Sequence, residues 1–243
     1  MKVAIPAPIP LLEEYSSLTT YHVCKPSLIL KSKKYLDFYK GRKALGDLVI
    51  LDSSNVLPRE TVLPSILFEA VMTLEPALVV APDWDMNSIR TTKQTINFLH
   101  AYKDRLRDSG IGILGMVQGA TMDQCLSCYG SMSRKVDAIG LPRSLEVAVG
   151  RVRFLKRIRT KKPIYIFGIH SNPEEELDAI LDLDRDTIIG VSSDLPIRLG
   201  LRCRLLDELR PEPPQLDFYS AYNPFPDFTK KNIEDFISLA EGV

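Results

Sequence analysis

The chain has no excess of charge: 31 Lys and Arg stand against 31 Asp and Glu, a formal net charge of zero at pH 7. Such a balance generates no global field to recruit a polyanion, so nucleic acid would have to be held by local clusters. Cysteine is scarce, with only Cys24, Cys125, Cys128 and Cys203. Cys125 and Cys128 form a single C-x-x-C with no second close pair, and His22, His100 and His170 are scattered, so a four-ligand zinc site is not expected. No stretch approaches the ~20 apolar residues of a membrane span. The apolar start, Met1 to Leu12, is interrupted by Pro6, Pro8 and Pro10 and followed by Glu13-Glu14, unlike a secretion signal. The expectation is a soluble, cytoplasmic protein with free thiols and no membrane partner. Also missing is any G-x-G-x-x-G or P-loop after an apolar run, which removes the usual reason for an open doubly wound sheet. No cofactor is expected.

What the sequence does hold is eight short apolar runs: Val3–Ile5, Tyr21–Cys24, Leu48–Leu51, Leu78–Ala81, Gly112–Val117, Ala138–Gly140, Ile164–Phe167 and Thr187–Val191. Strands of a parallel sheet buried on both faces read as continuous apolar stretches rather than as alternation. Between them lie segments of helical period: Lys33 to Gly41, Thr61 to Leu74, Arg90 to Arg107, Thr121 to Lys135 and Ser144 to Arg159. Ser171-Asn172-Pro173-Glu174-Glu175 reads as a helix start, with a capping side chain, a first-turn proline and carboxylates at the positive end. Strand and helix repeating every ~25 to 35 residues predict an α/β fold, a (β/α)8 TIM barrel over residues 1–209. Arg198 to Leu209 reads as a helix after the eighth strand. Residues 210–243 form a second unit: a proline-rich arm, Arg210 to Phe228, and a last helix, Thr229 to Ala240, docked on the barrel.

In such barrels the active site is built at the C-terminal ends of the strands. The residues there are Asp52-Ser53-Ser54, Asp83-Trp84-Asp85, Gln118-Gly119, Leu141-Pro142-Arg143, Gly168-Ile169-His170 and Ser192-Ser193-Asp194. Four aspartates and one amide on one rim supply the groups for a nucleophile, a general acid/base and a base-recognition acceptor. Taken singly, a strand-end aspartate is expected to cap the helix or turn that follows it, and it is the set together with Gln118 that points to chemistry.

Gly115-Met116-Val117-Gln118-Gly119, followed by Asp137-Ala138-Ile139-Gly140-Leu141, resembles the V-Q-G and A-[IV]-G-G-L segments of the tRNA-guanine transglycosylase family. Leu48 to Ser53 is similar to the family's L-T-D-S-G-G-F, Val79 to Asp83 to its V-M-A-F-D-E, and Ile164 to Gly168 to its Y-L-M-G, with Pro173-Glu174-Glu175 matching P-E-D. The resemblance spans about residues 48 to 200 with its motifs in order. It implies a barrel that exchanges guanine in a polynucleotide for a free 7-deazaguanine base by retaining double displacement. On this resemblance Asp52 takes the general acid/base position, Asp83 and Gln118 bind the purine, and the Gly140 and Leu141 backbone completes its pocket. Phe167 packs on the base face, with Gly168 beside it. Three departures stand out. Asn55 and Val56 replace a glycine and an aromatic, the double glycine before Leu141 is single, and Ser192 aligns with the nucleophilic aspartate. The nucleophile is therefore expected to be Asp194, two positions on. The family's zinc-binding C-x-C-x-x-C…H subdomain is missing, as in its phage and bacterial DNA-modifying branch, so DNA is favoured over tRNA.

Phosphate contacts are expected from Arg151, Arg153, Lys156, Arg157 and Arg159, with Arg198 and Arg202 as a second cluster. The same residues suit a solvated helix face. A base in a duplex must be flipped to reach such a pocket. Tyr219, Tyr222, Phe225 and Phe228 either stack on bases or pin the arm to the barrel. Two other readings remain. One is a catalytically silent relative that binds nucleic acid or supports a partner protein or a second copy. The other is an unrelated barrel enzyme with a phosphate site at Gly168 and Ser192-Ser193.

Overall fold

The computed structural model describes residues 1–54, 62–170, 172–183, 186–208 and 213–243. Eight strands pair in parallel, each with the next, and the last returns to the first to close a barrel. They are β1 (Lys2–Ala4), β2 (Tyr21–Cys24), β3 (Leu48–Leu51), β4 (Leu78–Val80), β5 (Gly112–Met116), β6 (Ala138–Leu141), β7 (Ile164–Phe167) and β8 (Ile188–Ser192). Every apolar run of the sequence is one of these strands, and the chain has the expected (β/α)8 fold.

The runs are continuous because both faces are covered. Ala4, Val23, Ile50, Val80, Leu114, Met116, Ala138 and Tyr165 fill the barrel. Their neighbours Val49, Leu51, Val79, Ile113, Ile139, Ile166 and Val191 face the helices. Gly140 is one of the small residues that make room inside, since a Cβ there would lie 2.5 Å from Leu114 Cδ2 and 2.9 Å from Met116 Sδ.

The helical layer comprises α1 (Leu12–Tyr15), α2 (Pro26–Lys31), α3 (Lys33–Ala44), α4 (Pro64–Leu74), α5 (Ser88–Asp108), α6 (Met122–Met132), α7 (Arg143–Val149), α8 (Arg151–Leu155), α9 (Pro173–Leu181), α10 (Leu195–Gly200) and α11 (Pro226–Glu241). The helix predicted over Ser144 to Arg159 is broken at Gly150, whose φ of 79° leaves the helical region and separates α7 from α8. The helix predicted from Arg198 to Leu209 is displaced: α10 starts at Leu195, with Pro196 in its first turn, and ends at Gly200. α9 is capped by Asn172, whose side chain accepts from Glu175 N. Thr61, Ser171, Leu209, Arg210 to Glu212, and the Asn55 and Val56 departures lie outside the described residues.

The C-terminal helix is built into the barrel wall. α11 packs against α9, α10 and β1, burying Thr229, Asn232, Ile233, Phe236 and Ala240. The Met1 ammonium donates to Ala240 O at 2.8 Å, tying the two ends of the chain together. Among the described residues no helix is long and apolar enough to cross a membrane.

Candidate active site at the strand ends

A cavity of about 390 Å³ lies at the C-terminal ends of the strands, within the size range of small-ligand sites. Lys25, Asp52 and Ser54 line one side, and Gly168, His170, Ser192, Ser193 and Asp194 the other. Phe167 and Val23 give it an apolar surface, and Arg143 and Arg198 also reach it. Gln215, Leu216 and Phe218 bring the arm over it as a wall, anchored where Ile9 N donates to Phe218 O at 2.9 Å.

Asp52 follows β3 directly. Lys25 Nζ lies 2.6 Å from its Oδ2, Ser54 Oγ donates to the same oxygen at 2.7 Å, and Ser53 N donates to Oδ1 at 2.7 Å. Burial opposes ionisation here, but the Lys25 ammonium and these donors outweigh it and hold the carboxyl below its ordinary range. Asp83 behaves in the opposite way. It accepts from Ser53 Oγ at 3.0 Å and Gln118 Nε2 at 2.7 Å, yet burial, with the Asp52 charge nearby, pushes it up to about 6. Two adjacent strand-end carboxyls thus sit in different protonation regimes, linked through Ser53.

Gln118 is buried, and its amide is engaged at both ends. Its oxygen accepts from Met86 N at 3.0 Å and Ser144 Oγ at 2.9 Å, while its nitrogen donates to Asp83. Asp83 and Gln118 therefore satisfy each other beside the cavity, and neither is among the described residues lining it. Gly140 and Leu141 do not line it either. The Gly140 carbonyl accepts from Val117 N at 2.9 Å, and the Leu141 side chain belongs to the core outside the barrel. Of the expected site, Asp52, Asp194, Phe167, Gly168 and Arg198 converge on the cavity.

The basic set divides. Arg151 is not a phosphate contact, because its side chain is completely buried. It pairs with Glu176 at 2.6 Å and donates to Pro142 O, Phe167 O and Gly168 O at 3.1, 2.6 and 3.0 Å, fastening the end of β6 to the end of β7. Arg198 is buried too, its guanidinium donating to the arm carbonyls of Pro213 and Pro214. Arg153, Lys156, Arg157, Arg159 and Arg202 are exposed. Arg159 and Lys161 border a groove with Asp186 and Thr187, beside the starts of β7 and β8, so they stand at the opposite pole from the cavity.

Four N–H groups near the ends of β7 and β8 are already bonded. Gly168 N and Ile169 N donate to Ser192 O, Ser193 N donates to Ala4 O, and Leu195 N donates to Ser193 Oγ. Tyr219 and Tyr222 are exposed on the arm, whereas its buried aromatic is Phe218. Cys24, Cys125 and Cys128 are buried free thiols, and among the described residues no group of three or more His, Cys, Asp and Glu could hold a metal ion. His22 lies behind the sheet, 3.0 Å from Asp47, with its pKa lowered mainly by burial.

Lys25 and the arm wall are absent from the sequence reading, and Ser54, Arg143 and His170 stand in it only as strand-end residues without a role. Lys25 follows β2 as Asp52 follows β3, so carrying the strand-end reading back to the second strand would have found it. No protein-family model matches the sequence, and no curated protein matches it significantly.

Proposed function

We propose that the cavity receives a purine flipped out of a polynucleotide, and that the protein exchanges guanine for a 7-deazaguanine base by retaining glycosyl transfer. The observation that carries this reading is the convergence of two carboxylates from different strand ends, Asp52 and Asp194, on one cavity beside the Phe167 ring. Two displacements at one anomeric carbon require a nucleophile and a proton-transferring partner.

In this scheme an Asp194 oxygen attacks the sugar C1′. The bond to the purine nitrogen breaks, and guanine departs with the bonding pair and one proton that Asp52 passes on from the Lys25 ammonium 2.6 Å away. Asp52 is ionised at rest, the state favoured by Lys25 and Ser54. The incoming base then surrenders one proton through Asp52 to Lys25, and its nitrogen displaces Asp194 from C1′. Protons balance over the two steps and the polymer backbone stays intact. Recognition of the guanine edge requires Asp83 and Gln118 to exchange their mutual hydrogen bond for bonds to the base.

DNA is the polymer of choice and tRNA the second. The test offers labelled guanine or a 7-deazaguanine base to the purified protein with duplex DNA, single-stranded DNA and tRNA. Incorporation is expected with one of them, falling about 10³-fold in Asp52→Asn and in Asp194→Asn, in keeping with loss of an acid/base or nucleophilic group. Incorporation indifferent to both substitutions would end the proposal. Salt-sensitive binding without any exchange would replace it with a non-catalytic nucleic-acid-binding role.

A further inference from the structure

Asp194 presents an unusual carboxylate. Its side chain is 24% exposed at the cavity, yet Oδ1 is buried and accepts no hydrogen bond among the described residues. The exposure therefore falls on the remaining atoms of the side chain. Beside the buried oxygen stand His170 Nε2 at 3.5 Å and an Arg198 terminal nitrogen at 3.6 Å, electrostatic contacts longer than hydrogen bonds.

Arg198 is held from the arm. Its Nε donates to Pro214 O at 3.0 Å, one terminal nitrogen donates to Pro213 O, and the other lies 3.1 Å from His170 Nδ1. A guanidinium has donors only, so His170 Nδ1 is the acceptor in that contact. A neutral ring accepting at Nδ1 carries its proton on Nε2, the nitrogen turned toward Asp194. Arm carbonyls, guanidinium, imidazole and carboxylate thus form one continuous chain ending at the cavity.

We propose that Arg198 and His170 are positioning residues for Asp194, and that the arm at Pro213 and Pro214 fixes their geometry. The proposal rests on the reading of Asp194 as the attacking carboxylate. Together, the two nitrogens draw Oδ1 out of the cavity and fix which side of the carboxylate faces the substrate. The arm also supplies the wall formed by Gln215, Leu216 and Phe218. One segment therefore both encloses the ligand and aligns the carboxylate. Lysine at position 198 keeps the charge but has no planar fork to serve the arm and His170 together.

The experiment uses the full chain labelled with ¹⁵N, with His170 assigned by its absence in His170→Gln. Long-range ¹H–¹⁵N spectra of the neutral ring are expected to show the Nε2–H tautomer in the wild type and a mixture of tautomers in Arg198→Lys. In the exchange assay, Arg198→Lys and His170→Phe should lower kcat by about 100-fold, the scale of a small misplacement of a reacting group, with KM for the free base unchanged. His170→Gln, which keeps an N–H near the Nε2 position, should recover most of that loss. An Nδ1–H tautomer in the wild type, nitrogen shifts unmoved by Arg198→Lys, or wild-type kcat in His170→Phe would each overturn the proposal. If the wild type exchanges no base in any polymer, the glycosyl-transfer reading fails, and the nitrogen spectra alone then decide whether the positioning chain exists.

Discussion

Asp52 and Asp83 are neighbours at the ends of adjacent strands, yet their surroundings push them in opposite directions. The stability consequences also have opposite signs. Asp52, held low by Lys25, adds stability above the ordinary carboxylate range, which acidification removes as it protonates in the folded state. Asp83, raised from 3.8 to about 6, contributes no penalty below pH ~4 and a growing one as pH climbs toward 6. A displacement of that size corresponds to about 3 kcal/mol at most. Asp83→Asn should therefore stabilise the protein by about 1–3 kcal/mol at pH 7.5, with the gain vanishing near pH 4. Asparagine can still accept from Gln118 and donate to Ser53, so the network survives the change. Urea unfolding at the two pH values checks this, and a loss of stability at pH 7.5 would show that Asp83 bears no burial penalty. Sequence alone placed both aspartates on the rim, because each follows an apolar strand. It could not reveal their states, which depend on Lys25 and Gln118 arriving from other strands.

The eight strands were legible for a simple reason: a parallel strand buried on both faces has no polar position to blur the pattern. Helices gave less away. The break at Gly150 needs a positive φ that helical periodicity does not encode, and α10 is too short to announce itself. Nor does the amphipathic face of α11 say which groove it fills. Its seat depends on close approach at Gly200, where a Cβ would lie 2.1 Å from Thr229 Oγ1 and 2.4 Å from Thr229 Cα. The second of these is backbone and cannot rotate away. Gly200→Ala is therefore expected to push α10 and α11 apart at a cost of about 1–3 kcal/mol. For a chain of this size that lowers Tm by roughly 3–10 °C. Calorimetry checks it, and Thr229→Ala in the same background should return little of the loss, since the backbone contact remains. An unchanged Tm would mean that α11 is a loosely held appendage, against the docked helix that its apolar face predicts.

At the scale of the whole molecule, the cations Arg159 and Lys161 and the cavity lie at different poles. The chain has no net charge to draw a polynucleotide toward it, so binding depends on which local cations meet the phosphates. Lys25 and Arg143 line the cavity, whereas Arg159 and Lys161 border the groove at the other end. Along the sequence, Arg151 to Arg159 reads as one basic cluster. Folding buries Arg151 between strand ends and carries Arg159 to the far pole. Each phosphate neutralised contributes about −0.9 to the slope of log affinity against log salt for duplex DNA, and about −0.7 for a single strand. If the substrate approaches the mouth alone, the double variant Arg159→Ser with Lys161→Ser should leave that slope unchanged within about half a unit. Titrating DNA at several salt concentrations against both proteins provides the measurement. A slope shallower by nearly two units would place phosphates against both side chains. The polymer would then have to wrap the barrel from mouth to base, over a path much longer than the flipped nucleotide needs, and the interface would have to be redrawn around the far pole.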